Sequence, residues 1–177
     1  MGNTRGECMP AGAPTHGQRC DGPVCAPGHH CLDLAFGDVG PTEICRRNCT
    51  TDADCPGTQC RHQILTETGV ASGTFVCAQA CDLVTQTGCP EGTGCHPLRD
   101  DGGEAFVECI SLGSGARGAP CTVHGDCLAG TICVYFGETA PGRCARICRV
   151  GSYCGASRCV SLLSPIVVDG VEYGVCP

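Results

Sequence analysis

The sequence predicts a small disulfide-rich fold: tandem β-hairpin modules in an elongated array, with little helix and no single large core. Cysteine accounts for 21 of the 177 residues, about 12%, above the roughly 8–10% typical of a disulfide scaffold. Leu, Ile, Val and Phe together account for only about 19%, too little for one continuous apolar core. A pattern of four cysteines also recurs about every 30 residues, which indicates a repeat array.

Twenty of the cysteines form five consecutive units of four, and units two and five have identical gaps of five, four and sixteen residues. The spacing predicts these segments: 1–19, the end of a preceding unit and a linker; 20–48, unit one; 49–80, unit two; 81–109, unit three; 110–120, a Gly-rich linker; 121–147, unit four; 148–177, unit five. The Gly-Ser-Gly-Ala-Arg-Gly run at 113–118 is expected to be a flexible joint.

Each unit is predicted to place a β-hairpin between its third and fourth cysteines. In unit three, strands at 95–99 and 104–110 flank a turn at 100–103. In unit four, strands at 133–136 and 143–146 flank a turn at 137–142. A glycine three residues before the third cysteine predicts a backbone position with positive φ. The four glycines at this position are Gly28, Gly57, Gly92 and Gly130.

Four cysteines allow three pairings, and we expect the interleaved one, first to third and second to fourth. This pairing anchors the loop of each unit to both strands of its hairpin, and each bond contributes ~3 kcal/mol in the chain-entropy model. The predicted bonds are Cys20–Cys31, Cys25–Cys45, Cys49–Cys60, Cys55–Cys77, Cys81–Cys95, Cys89–Cys109, Cys121–Cys133, Cys127–Cys144, Cys148–Cys159 and Cys154–Cys176. In unit two, the main alternative is Cys49–Cys77 with Cys55–Cys60.

Cys8 remains outside the five units. Eleven residues separate it from Cys20, as eleven separate units three and four, so it resembles the fourth cysteine of a preceding unit. On this interpretation we expect the chain to be a fragment of a longer protein. The alternative is an unpaired or intermolecular thiol at Cys8.

Dense disulfide bonding indicates an oxidising compartment: extracellular, cell-surface or periplasmic. Residues 1–19 contain no apolar signal-peptide core, and no 18-residue apolar run predicts a membrane span. The net charge of −7 argues against nucleic acid as a partner. All eleven basic residues are Arg, a composition typical of a GC-rich bacterial genome.

None of the candidate metal ligands or catalytic residues predicts a site. The histidines are His16, His29, His30, His62, His96 and His124, which we interpret as loop residues near disulfides. The chain has no Cys-x-x-Cys pair for a metal cluster. The acidic groups Asp52/Asp54 and Asp100/Asp101/Glu104 do not follow an EF-hand pattern and are expected to be solvated turns. No Gly-x-Ser-x-Gly motif is present, so we expect neither an enzyme nor a cofactor.

The run Cys-Thr-Thr-Asp-Ala-Asp-Cys-Pro-Gly-Thr-Gln-Cys at 49–60 resembles cysteine-rich repeats in secreted proteins and lipoproteins of myxobacteria. Residues 123–133 are similar to them too. The spacing also resembles the N-terminal cysteine-rich domain of Dickkopf proteins and the EB modules of animal extracellular proteins. These resemblances imply disulfide bonding and a location outside the cytoplasm, which for a bacterial protein includes an outer-membrane lipoprotein.

We therefore expect an extracytoplasmic, non-enzymatic structural or adhesive binding protein, such as part of a surface or filamentous assembly. Its expected partners are proteins or surface polysaccharides. One alternative is a secreted protease inhibitor that presents Phe75, Phe106 and Phe136 on its hairpins. A second is a metal-sequestering Cys/His-rich protein.

The spacing makes a prediction about thiols. Alkylation of the folded protein without reductant should label at most one cysteine, Cys8, because the other twenty are paired. Intact mass before and after alkylation measures this. Several labelled thiols would contradict the scaffold.

Overall fold

The computed structural model describes residues 12–20, 24–33, 42–65, 71–100, 102–135, 137 and 141–177. Those residues form β-strands and two 3₁₀ turns, at Asp52–Asp54 and His124–Asp126, and no α-helix. The strands are β1 His29–Asp33, β2 Glu43–Cys49, β3 Cys60–Leu65, β4 Ala71–Cys77, β5 Thr93–Arg99, β6 Ala105–Ser111, β7 Pro120–Cys121, β8 Thr131–Val134, β9 Gly142–Arg149, β10 Tyr153–Cys154, β11 Ser157–Arg158, β12 Val160–Val168 and β13 Val171–Val175. The small disulfide-rich β class is confirmed.

An antiparallel hairpin follows the third cysteine of every unit. In units one and three the third and fourth cysteines are register partners, Cys31 with Cys45 and Cys95 with Cys109, as predicted. Units one and two share a four-stranded sheet, β1-β2-β4-β3, and units four and five share a five-stranded one. Hairpin β5–β6 of unit three forms a separate two-stranded sheet between them in sequence.

The glycines before the third cysteine have the predicted left-handed backbone. Gly28, Gly57, Gly92 and Gly130 have φ between 73° and 83°. In unit five Gly155, one residue earlier, takes this conformation with φ 77°. A side chain with a Cβ is strained there, so glycine starts each hairpin without that cost.

The disulfides follow one rule throughout. In each unit the first cysteine bonds with the third and the second with the fourth, and no described bond links two units. In units one, two, four and five, the buried cluster at the centre of the unit consists of cysteines alone. The disulfides therefore take the place of an apolar core within these units.

Units three, four and five also share an apolar cluster, which the sequence pattern did not predict. Unit three contributes Leu83, Cys95 and Ala105. The remaining members come from units four and five: Ile132, Val134, Ala145, Ile147, Ile166, Val168, Tyr173 and Val175. Contact therefore extends beyond units that are consecutive in sequence, and hairpin three packs against unit five as well as unit four.

The Gly-rich linker is not the free joint expected from its composition. Gly115 donates its N–H to Asp126 and accepts a bond from Leu128, both at 2.9 Å. Gly118 donates its N–H to the Cys144 carbonyl, and the Ala119 carbonyl accepts from the Cys144 N–H. The glycines allow close approach of backbone, because a Cβ on Gly113 would lie 2.2 Å from the Asp126 carbonyl. The linker is thus packed onto unit four.

This packing predicts that Gly115→Ala destabilises the fold. The new Cβ would lie 2.6 Å from the Asp126 oxygen and 2.9 Å from the Cys144 Sγ. Overpacking of this kind costs about 1–3 kcal/mol, measured by guanidinium unfolding of the non-reduced protein. Gly102→Ala is the control, because its nearest neighbour is the flexible Asp100 side chain at 3.2 Å. Equal stability of the two variants would show that the linker is loose.

Candidate functional site

A buried carboxylate, that of Glu108 on β6, lies where units one, two and three meet. Its Oε1 accepts from Arg46 Nη2 at 2.6 Å and from the Cys109 N–H at 2.8 Å. Its Oε2 accepts from His62 Nε2 at 2.7 Å and from the Gln79 N–H at 3.0 Å. Four donors from units one, two and three therefore converge on one side chain.

The side chains of Arg46 and Glu108 are both completely buried. Burial alone opposes ionisation of Glu108. The hydrogen bond from His62 and the charge of Arg46 outweigh it and hold the pKa of the carboxyl below its usual value of 4.5. Removal of either charge would leave the other buried without a counter-charge, so the pair holds the units in one arrangement. The sequence contains a signal for this group, because Glu108 is the only charge in the strand Ala-Phe-Val-Glu-Cys-Ile-Ser.

Two histidines meet at the contact between units three and four. The rings of His96 and His124 stack with centroids 6.4 Å apart. His124 Nδ1 accepts from the Cys133 N–H at 3.2 Å. His96 is fully buried, and neither of its ring nitrogens has a partner in the structure. Burial, followed by the proximity of His124, lowers the pKa of His96 from 6.5 to about 4, so its ring is neutral at neutral pH.

The acidic groups considered for calcium have protein partners instead. Asp54 Oδ2 accepts from Thr50 and Thr51, and Asp52 Oδ1 accepts from the Cys60 N–H. These bonds close the 3₁₀ turn at Asp52–Asp54, where the sequence predicts a turn. In unit three, Asp100 and Glu104 pair with Arg61 of unit two, at 3.5 Å and 3.1 Å. Asp101 lies outside the described residues.

The remaining candidates are scattered. His16 Nδ1 accepts a hydrogen bond from the Arg47 N–H, and His29 Nδ1 lies 3.1 Å from the Pro27 carbonyl oxygen. His30 Nδ1 lies 2.5 Å from Asn48 Oδ1. The described residues include groups of three cysteine sulfurs close enough for a metal, but every such sulfur belongs to a disulfide.

The aromatic residues proposed as inhibitor contacts differ in exposure. Phe106 is buried and meets the His62 ring edge-on at 5.4 Å. Phe75 is about a third exposed. Phe136 and Cys8 lie outside the described residues.

An open groove of about 670 Å³ lies between units two, three and five. One wall is the unit-two loop from Asp52 to Gln59, the second is Phe106 and Val107 of β6, and the third is the hairpin tip at Val168 and Asp169. Its volume falls in the range of ligand sites, roughly 300–1,000 Å³. Because three units form it, the groove depends on the contacts that fix those units.

Comparison of the chain with protein-family models, with curated proteins and with solved structures gives no match. No helix in the described ranges is both long enough and apolar enough to cross a membrane.

The buried ion pair predicts that Glu108→Gln destabilises the protein by about 3–5 kcal/mol, because Arg46 loses its counter-charge. Denaturant unfolding of the non-reduced protein at neutral pH measures this. The control is Arg149→Gln, which breaks the exposed pair with Asp82 and should cost only about 0–1 kcal/mol. Adding Arg46→Met to Glu108→Gln should recover part of the loss.

The same carboxylate predicts a pH dependence. The pKa of Glu108 in the folded protein lies below 4.5. The carboxylate therefore contributes to the free energy of unfolding above pH 4.5, and this contribution is lost as the pH falls through the folded pKa. The Glu108→Gln variant should lack this loss. Parallel acid profiles for the two proteins would contradict the assignment.

His96 predicts a separate pH effect, between 6.5 and about 4. In that interval the unfolded chain binds a proton at His96 and the folded chain does not, so stability falls as the pH falls. His96→Leu should reduce this slope in unfolding experiments, although His16 and His124, with lowered pKa values of their own, retain part of it. Equal slopes for His96→Leu and the unmodified protein would refute the role of His96.

Proposed function

We propose that this chain is an extracytoplasmic, non-enzymatic structural or binding protein. The observation that carries the proposal is the pairing of all twenty cysteines of units one to five into ten disulfides. Such bonds persist in an oxidising environment and give small modules stability without a large core. The resemblance to secreted cysteine-rich repeats supports the same location.

The groove between units two, three and five is the proposed binding surface, for a protein or a surface polysaccharide. Buried apolar groups such as Phe106 form part of its wall, and Asp52 and Asp169 place carboxylates along it. The Glu108 network and the shared apolar cluster hold its walls together before a partner arrives. A pre-formed site avoids part of the ordering cost of binding.

Location is tested by antibody labelling of intact cells of the source organism. The proposal expects labelling without permeabilisation and loss of the signal when intact cells are treated with a protease under reducing conditions. Signal that is seen only after lysis, with the cysteines reduced, would refute an extracytoplasmic role.

Binding is tested by adding the purified, non-reduced protein to the same cells. Ala53→Arg places a bulky cation in the groove and should abolish retention on the cell surface. Ala156→Arg, an exposed alanine in unit five outside the groove, is the matched control and should be retained. Equal retention of both variants would exclude the groove. Inhibition of a protease panel or stoichiometric metal in the native protein would instead favour one of the alternatives.

A further inference from the structure

A second, smaller recess lies where the segment before unit one, strand β2 and the unit-two loop meet, and its volume is about 180 Å³. Its lining combines polar side chains with a disulfide: His16, Arg47, Pro56, Thr58 and the Cys55–Cys77 bond. The volume corresponds to about six water molecules at roughly 30 Å³ each. The recess is therefore too small for a drug-sized ligand but large enough for one ionic group.

The polar side chains of this recess present hydrogen-bond donors. His16 Nδ1 accepts the Arg47 N–H at 3.1 Å, so the hydrogen of the neutral ring is on Nε2, which is a donor. The Arg47 guanidinium can only donate, and the Thr58 hydroxyl is able to donate. Among the described residues these three groups have no hydrogen-bond or ion-pair partner. Three segments of the chain thus each bring an unused donor to one recess.

The recess is also locally positive. No acidic residue is part of its described lining, although the chain as a whole has a net charge of −7. Burial, followed by the charge of Arg46, lowers the pKa of His16 to about 4, and Arg47 acts in the same direction. Glu108 acts in the opposite direction, but its carboxylate is paired with Arg46. The charge of Arg47 therefore has no counter-charge in the described structure.

Arg46 adds an independent sign of a missing acceptor beside His16. Its side chain is fully buried, and its Nε has no hydrogen-bond partner in the described part of the chain. Buried donors are almost always paired with a protein group, a water or an ion. An unpaired guanidinium, two further free donors and a buried unpaired N–H together indicate an acceptor that carries negative charge.

We propose that this recess binds a sulfate or phosphate group. Such a group supplies the counter-charge that Arg47 lacks, and a guanidinium matches it with two parallel hydrogen bonds. Its tetrahedral oxygens point in several directions, which suits donors from three segments better than a planar carboxylate does. The same chemistry is offered by an inorganic ion and by a sulfated polysaccharide, so the test has one arm for each.

The anion site is distinct from the groove between units two, three and five. The groove contains the carboxylates of Asp52 and Asp169, which repel an anion, and no arginine or histidine is part of its described lining. The unit-two loop borders both cavities, with the positive recess at one and the carboxylates at the other. This inference does not depend on where the protein is located or on what the groove binds.

Titration of the full, non-reduced chain with sodium sulfate tests the site, with sodium chloride used to hold the ionic strength constant. NMR of the histidine rings should show a saturable shift at His16 and a rise in its pKa, because a bound anion favours the imidazolium. Arg47→Gln should weaken sulfate binding roughly tenfold or more, since hydrogen bonds to charged groups are the stronger ones. Arg146→Gln is the control: it removes the same charge from an exposed arginine outside the recess and should bind sulfate normally.

Dextran sulfate is the second arm, with unsulfated dextran as its control. Tighter binding per sulfate group than the inorganic ion, lost in Arg47→Gln, would identify a polymer as the source of the group, whereas equal or weaker binding would identify the free ion. A titration that leaves the His16 resonances unchanged would overturn the proposal. Equal weakening by Arg47→Gln and Arg146→Gln would do so too, because it would show only diffuse attraction to the chain. Unchanged disulfides and circular dichroism verify that each variant is folded.

Discussion

The interleaved pair of disulfides in each unit is the constraint on which the rest of this structure depends. Most units have no apolar centre of their own, and their buried clusters consist of cysteines. The first bond ties the loop to the strand that leaves it, and the second ties the loop to the returning strand. Cross-links of this kind limit the freedom of the unfolded chain, so a hairpin with few apolar side chains remains folded.

Cross-links within units do not determine how the units sit together, and two other interactions do that. Glu108 joins units one, two and three through four hydrogen bonds. The shared cluster around Ile132 and Tyr173 joins units three, four and five. Hairpin three takes part in both. It is therefore the central element of the array, and the groove beside Phe106 exists because of it.

The surface proposed for binding arises from contact between units. The groove beside Phe106 is bounded by loops and a hairpin tip from three units and contains carboxylates, as expected of a site for a polar partner.

The sequence by itself determined the features that depend on short separations along the chain. The hairpin positions and the register that sets Cys31 opposite Cys45 follow from spacing along the chain. The positive φ of glycines such as Gly57 follows from the steric freedom of glycine. Only the tertiary structure decided that Glu108 meets Arg46, 62 residues away, that His96 is buried against His124, and that the glycines at 113 and 115 pack closely and do not form a hinge. These features depend on which units touch, and contacts between distant segments leave no regular period in a sequence from which they could be read.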